Sequence, residues 1–351
     1  MEGLSMISRR SVVGVAVAGA LALTGVAGCA SSSASSGTGK VTLRLGYFPN
    51  LTHATPIVGI NKEFFSKALG ADVTLEAKTF NAGPEAAQAL LSGAIDAVYM
   101  GPNPTVNAWA TSKGRGLKVV AGAASGGVFF VVKPTITGPA DLKGKKIATP
   151  QLGNTQDVAL RYWLRQNGLT ATKEGGGDVH VVPQDNATTV TAFGTGAIDG
   201  AWVPEPYASK LVKAGGKVLV DERDLWPTKQ FVITNLAVSQ TFLKAHPDVV
   251  KNLLAGQVAA NKFIADNPDG AQQVVNDAIG KLTGKPLDPK ATATAWKSLT
   301  FLNDPLSATL RDGARHAQDI GLLKPVDVTG LYDLSLLNEV LKSAGQPEVS
   351  P

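Results

Sequence analysis

Short apolar runs alternate with amphipathic stretches from residue 41 to about residue 239, and almost every boundary is a turn built from Pro, Gly, Asn and Thr. The runs LRLGYF (43–48), GAIDAVYM (93–100), LKVVAGA (117–123), KKIATP (145–150), GAIDGAWVP (196–204), KVLVDERDL (217–225) and QFVITNLAVS (230–239) predict strands, each too short for a helix of ordinary length. Between them apolar positions recur at helical spacing. The best-bounded helix runs from about Thr155 to Asn167, with Asn154 where an N-cap belongs and Gly168 where a terminating glycine belongs. Beyond Ser239 the pattern turns helical to the C-terminus, broken by Pro and Gly. Strands alternating with helices predict an α/β fold.

The chain writes one phrase twice. GAIDAVYMGPNP (93–104) returns as GAIDGAWVPEP (196–206), an offset of 103 residues. The same offset carries Thr52 in LRLGYFPNLTHATPIVGI onto Thr155 in KKIATPQLGNTQDVALRYWL, and TFNAGPEAAQALLS (79–92) corresponds to PQDNATTVTAFGT (183–195). A chance recurrence of the common tetrapeptide GAID would not bring two further segments into register. Two lobes of like design fit this pattern, whereas a solenoid would repeat every 20–50 residues.

The N-terminus assigns the compartment. A basic start (MISRR, 6–10) leads into SVVGVAVAGALALTGVAGCA, which matches a secretory signal and is short for a membrane span. Val26-Ala27-Gly28-Cys29 resembles a bacterial lipobox, and Cys29 is the single cysteine of the chain. We therefore expect a signal peptide over 1–28, lipidation of Cys29, and a Ser/Gly-rich tether over 29–40 that holds the rest at the outer face of the cell membrane or in the periplasm. Ser8-Arg9-Arg10 matches a twin-arginine start only loosely, so the export route stays open. The formal charge of +5 becomes +4 without residues 1–28, and the Lys and Arg residues are scattered. That argues against nucleic acid as a partner.

Two lobes joined by two crossings form a cleft, and ligands of such sheets sit at the carboxyl ends of the strands. The turns expected there are FPNLTHATP, TFNAGPEAA, MGPNPTV, TPQLGNTQD and VPEPY, which hold no Lys or Arg. Backbone N–H groups at helix starts, helped by Asn and Thr, suffice for a compact anion. No GxSxG, HExxH or paired-Cys spacing occurs, so neither a nucleophile elbow nor a metal site is predicted, and no cofactor is expected.

With LGYFPNLTHA (45–54), the long stretch 79–104, DLKGKKIATPQLGNTQDVALRYWL (141–164) and GAIDGAWVPEPYASKLV (196–212), the mature chain resembles the solute-binding proteins of ABC importers for aliphatic sulfonates, taurine and nitrate. The resemblance implies a type II periplasmic binding protein fold, with lobe I made of 41–126 plus 233–351 and lobe II of 127–232. It also implies a monomer that closes over a small sulfonate-like anion and presents it to a membrane permease and its ATPase. By position in the matching turns, the ligand-lining candidates are Asn50, Thr52, His53, Asn81, Gly83, Gly101 and Asn103 from lobe I. Lobe II adds Asn154, Thr155, Gln156, Trp202 and Glu205. Trp202 aligns with Tyr99 at the strand ends, where either ring could lie along an organic tail.

Each candidate also has a structural reading. Asn154, Thr155 and Asp157 can serve only as helix-start residues, His53 can bond backbone, and Asn81 and Gly83 can merely shape a turn that matches the one near Asn186. Glu205 can meet a ligand amine or a basic residue of the other lobe. Trp109, Trp163, Trp226 and Trp296 read as core. Nitrate, taurine, a thiamine-precursor pyrimidine and an aromatic carboxylate remain alternative solutes. A secreted lyase on the same fold is the alternative of another class, with His53 and Asp157 its only acid–base candidates in the cleft.

Overall fold

The computed structural model describes residues 40–351. The signal segment 1–28, Cys29 and residues 30–39 of the tether lie outside the described residues, and Lys40–Pro351 forms one compact unit.

Strand β1 (Val41–Tyr47) is followed by a 3-10 turn at Leu51–His53, α1 (Ala54–Asn61) and α2 (Phe64–Leu69). Then come β2 (Val73–Thr79), α3 (Gly83–Leu91), β3 (Ala97–Met100), α4 (Pro102–Thr111) and β4 (Leu117–Gly126). The chain crosses to β5 (Val128–Val132), β6 (Lys146–Thr149), α5 (Thr155–Gln166), β7 (His180–Pro183), α6 (Asn186–Gly194), β8 (Gly200–Pro204), α7 (Tyr207–Lys213) and β9 (Lys217–Asp221). It returns through β10 (Val232–Ser239). The first sheet has the order β11-β4-β10-β3-β1-β2 and the second β7-β6-β8-β5-β9. In both, a parallel trio (β2-β1-β3 and β7-β6-β8) continues into an antiparallel neighbour, β10 or β5.

The doubled phrase has a structural cause that this topology exposes. Gly93 and Gly196 end α3 and α6 in the left-handed region (φ 74° and 77°), where a side chain would be strained. The next two N–H groups then bond back to Ala89 in one case and to Ala192 in the other. Ile95 and Ile198 enter the core. Asp96 Oδ2 accepts the N–H of Arg44 on the neighbouring strand (2.9 Å), and Asp199 Oδ2 does the same for Lys146 (3.0 Å). Each aspartate also pairs with a base, Arg44 at 2.6 Å and Lys133 at 2.8 Å. GAID is therefore a helix stop, a core anchor and a strand-edge clamp, used once per sheet and remote from ligand chemistry.

The C-terminal helices follow their prolines. Pro247, Pro268 and Pro289 open α9 (Pro247–Asp266), α10 (Pro268–Thr283) and α11 (Pro289–Trp296), at the first helical position where a missing N–H costs nothing. A short α8 (Gln240–Ala245) precedes them; β11 (Leu299–Phe301), α12 (Ser307–Asp319) and α13 (Ser335–Ser343) complete the chain. Leu253 and Leu254 of α9, Val275 of α10 and Leu337 of α13 join Leu43, Leu45 and Ile57 in the first sheet's core. Emptying one such position, as in Leu253→Ala, costs about 2–5 kcal/mol. The second sheet has a separate core around Phe130, Ile147, Leu160 and Trp202.

Candidate functional site

Five helices begin at one cavity between the two sheets. Asn50, Thr52 and His53 lead into α1, Asn81 and Ala82 into α3, and Gly101 into α4. Asn154, Thr155 and Gln156 open α5, and Asn186 opens α6. The cavity has a volume of about 20 Å³. Such a space suits a compact head group.

Side-chain capping is absent at these helix starts and at several others. Away from the cavity, α9, α12 and α13 have no side-chain cap, while α8, α10 and α11 are capped by Ser239, Asn267 and Asp288, whose side chains accept backbone N–H groups. The residues before α3, α4, α5 and α6 make no such bond. Asn154 is a good capping residue by type, yet its Nδ2 donates to Gln156 Oε1 at 2.9 Å. First-turn N–H groups without an internal acceptor, at the positive ends of several helix dipoles, are therefore left facing the cavity.

Two buried polar atoms in the lining have no partner: Thr155 Oγ1 and Asn186 Oδ1. A buried hydroxyl or amide left unpaired costs about 1–3 kcal/mol, so a bound solute that pairs with them recovers that energy. Reversing the Asn186 amide would present its N–H₂ instead, a donor for an anion. Thr52 differs from its counterpart, because its Oγ1 donates to Asn50 Oδ1 at 2.7 Å. His53 is buried against Phe48, with ring centroids 4.3 Å apart, and burial pushes its pKa down to about 3. Its Nδ1 accepts the Phe48 N–H at 3.2 Å, so the neutral ring carries its proton on Nε2 as a further donor. Among the described residues, no Lys, Arg, Asp or Glu lines the cavity.

Eight of the twelve expected residues thus meet there: Asn50, Thr52, His53, Asn81, Gly101, Asn154, Thr155 and Gln156. The other four do not line it. Trp202 is fully buried in the second sheet's core, stacked on Phe130 opposite it in β5 (5.2 Å) and bonded through Nε1 to Glu222. Tyr99, its counterpart, is likewise buried and bonds Gln257, so neither ring can lie along a tail in this cavity. Both are on the strand face that packs against helices. Glu205 sends its carboxylate to Ser209 in a separate groove, while its carbonyl accepts the Leu51 N–H across the cleft at 3.1 Å. Gly83 packs against Pro104, and Asn103 donates to the Gly313 carbonyl. Gly101 must be glycine for a steric reason, since a Cβ there would lie 2.3 Å from Thr155 Oγ1.

Asp157 has a purely structural place. It accepts from Thr149 Oγ1, from the Gly153 N–H and from Arg161 Nε at 3.0 Å, entirely buried. It therefore offers no acid–base partner to His53. Sequence reasoning missed Phe48, Ala82, Pro150, Asn186, Pro204 and Ile233. The 103-residue offset carries Gly83 onto Asn186 and would have found it; Ile233, on the returning strand, carries no such signal.

Twin sheets around a cavity where five helix starts converge fit a periplasmic-type solute-binding protein. Comparison with known proteins agrees. Residues 36–278 match the model of the NMT1-like family, and the chain belongs to that family. The taurine-binding periplasmic protein of Escherichia coli is 30% identical over 274 residues, covering 75% of this chain and 82% of the relative. Among solved structures, the alkanesulfonate-binding protein SsuA of Xanthomonas axonopodis pv. citri, bound to MOPS, superposes with a TM-score of 0.69 at 20% identity, covering 84% of this chain and 99% of that one. The nitrate-binding protein NrtA of Synechocystis PCC 6803 gives 0.71 at 16% identity, covering 88% and 90%. At those identities the two structures attest the fold alone.

Proposed function

We propose that this protein is the extracytoplasmic solute-binding component of an ABC importer, anchored through a lipid on Cys29, and that it captures an aliphatic sulfonate for delivery to the membrane permease. The lobes we assign are 41–126 plus 233–351 and 127–232, closing on the solute from both sides. The carrying observation is the convergence of five helix starts on one cavity around the unpaired Thr155 Oγ1 and Asn186 Oδ1. Several partial positive charges and neutral donors meet there without any cation. A sulfonate spreads one negative charge over three oxygens, so it takes many modest donors rather than one counter-ion.

Taurine carries the same head group with an ammonium added. The cavity lining offers that ammonium no carboxylate, since Glu205 is turned away, and this favours a sulfonate without an amine. Nitrate is a second reading, favoured by the small free volume. The test is mass spectrometry of the solute released from natively purified protein. A released alkanesulfonate supports the proposal; taurine, nitrate, a pyrimidine or an aromatic carboxylate replaces the solute, and any turnover product would overturn the binding role.

A further inference from the structure

A second chamber lies along α5, away from the helix starts. It has a volume of about 400 Å³ and is walled by Tyr162 and Trp163 of α5, Trp226, Leu225, and His316 of α12, with Glu222 among its lining residues. That volume is in the range of small-molecule sites. His316 stacks on Tyr162 with centroids 3.7 Å apart and planes at 13°, and it lies 5.6 Å from the Trp226 ring. The wall is thus aromatic on several sides and drawn from both lobes.

Glu222 is the group that gives this chamber a chemical preference. It is 2% exposed, and its Oε2 accepts the Trp202 Nε1–H at 2.7 Å. Among the described residues no cation pairs with it. The basic side chains nearest in sequence are used elsewhere, Arg223 by Asp221 at 2.6 Å and Lys229 by Asp224 at 3.2 Å. Burial pushes its pKa up to about 7, against the opposing effect of the Trp202 and Trp226 indole N–H groups. A buried carboxylate without a counter-ion beside aromatic faces matches the chemistry of an organic ammonium, which gains both a charge-assisted hydrogen bond and cation–π attraction.

We propose that this chamber is a second ligand site that takes a small organic amine, its ammonium against Glu222 and its carbon skeleton between Trp226 and the Tyr162–His316 stack. The site is independent of the solute assigned to the cavity at the helix starts.

The experiment is a calorimetric and NMR titration of the full mature chain with benzylamine and with benzyl alcohol, its neutral counterpart. The expected result is saturable one-to-one binding of benzylamine, about tenfold or more tighter than benzyl alcohol, with shifts of the Trp226 indole signal. Glu222→Gln keeps an acceptor for Trp202 and should abolish the preference for the amine, while Trp226→Ala should weaken both compounds. Circular dichroism and thermal melting verify that both variants fold. Absence of saturable benzylamine binding to the unaltered protein, or an amine preference that survives in folded Glu222→Gln, overturns the proposal.

Discussion

Thr155→Val removes one buried hydroxyl and keeps the β-branched shape, so its effect on the empty protein and on the loaded one should have opposite signs. In the empty protein Thr155 Oγ1 is buried and unpaired. Replacing it by a methyl group ends a desolvation cost of about 1–3 kcal/mol, partly offset by tighter packing against Gly101, so a net gain of about 1 kcal/mol is expected. If the solute pairs with that hydroxyl, the same change removes about 1–3 kcal/mol of binding, roughly a 5- to 150-fold loss of affinity. Thr52→Val is the matched control at the equivalent position of the first lobe. Its hydroxyl already donates to Asn50 Oδ1, so its removal leaves the Asn50 amide unpaired and lowers stability and affinity together. Urea unfolding of ligand-free protein and calorimetric titration with ethanesulfonate measure the two quantities. A Thr155→Val protein that is less stable when empty, yet binds unchanged, would refute the view that this hydroxyl is held for the ligand.

Three further outcomes follow from the same structure. Glu222 has its pKa raised from 4.5 to about 7, so the folded protein holds its proton more tightly than the unfolded chain; the stability this brings is complete below pH 4.5 and lost as pH rises through 7, to a limit of about 3 kcal/mol. Glu222→Gln should remove that decline when urea midpoints are compared between pH 5 and pH 8, and a slope equal to the unaltered protein's would contradict the assignment. Asp157→Ala strips a buried Arg161 of its partner and should cost about 3–5 kcal/mol in unfolding experiments, a large loss that would be absent if Asp157 were a dispensable helix-start residue. Cys29→Ser should appear in the soluble fraction or remain unprocessed in cells, since the acyl chains are its expected hold on the membrane; a variant that is still cleaved and membrane-bound would end the anchor proposal.

The two-lobed α/β design was legible because it is written in local, repeated chemistry. The glycine stops, the buried isoleucines and the strand-clamping aspartates recur at one offset, and α3 and α6 fall 103 residues apart, as Gly83–Leu91 and Asn186–Gly194. The cleft was legible where turn residues precede helices, hence the convergence of Asn50, His53, Asn81 and Thr155. Two kinds of information were hidden. Strand alternation decides which face a side chain takes, and a one-residue difference sends Trp202 and Tyr99 into cores. Choices among hydrogen-bond partners were hidden as well: Glu205 is held by Ser209 one turn on, and the pairing of Thr52 with Asn50 breaks the symmetry with Thr155. Chemical type alone made Asn154 a cap, whereas its side chain bonds Gln156 and leaves the helix start open.

The central claim is that a cavity of neutral donors, free of Lys, Arg, Asp and Glu, holds a compact sulfonate. Calorimetric titration of the unaltered mature protein with ethanesulfonate, taurine, nitrate and sulfate, each at low and at moderate salt, tests it most directly. The account predicts that ethanesulfonate binds most tightly and that its affinity changes little with salt, because a buried site without mobile counter-charges is weakly screened. Failure of ethanesulfonate to bind, or an affinity that falls steeply as salt rises, would contradict it.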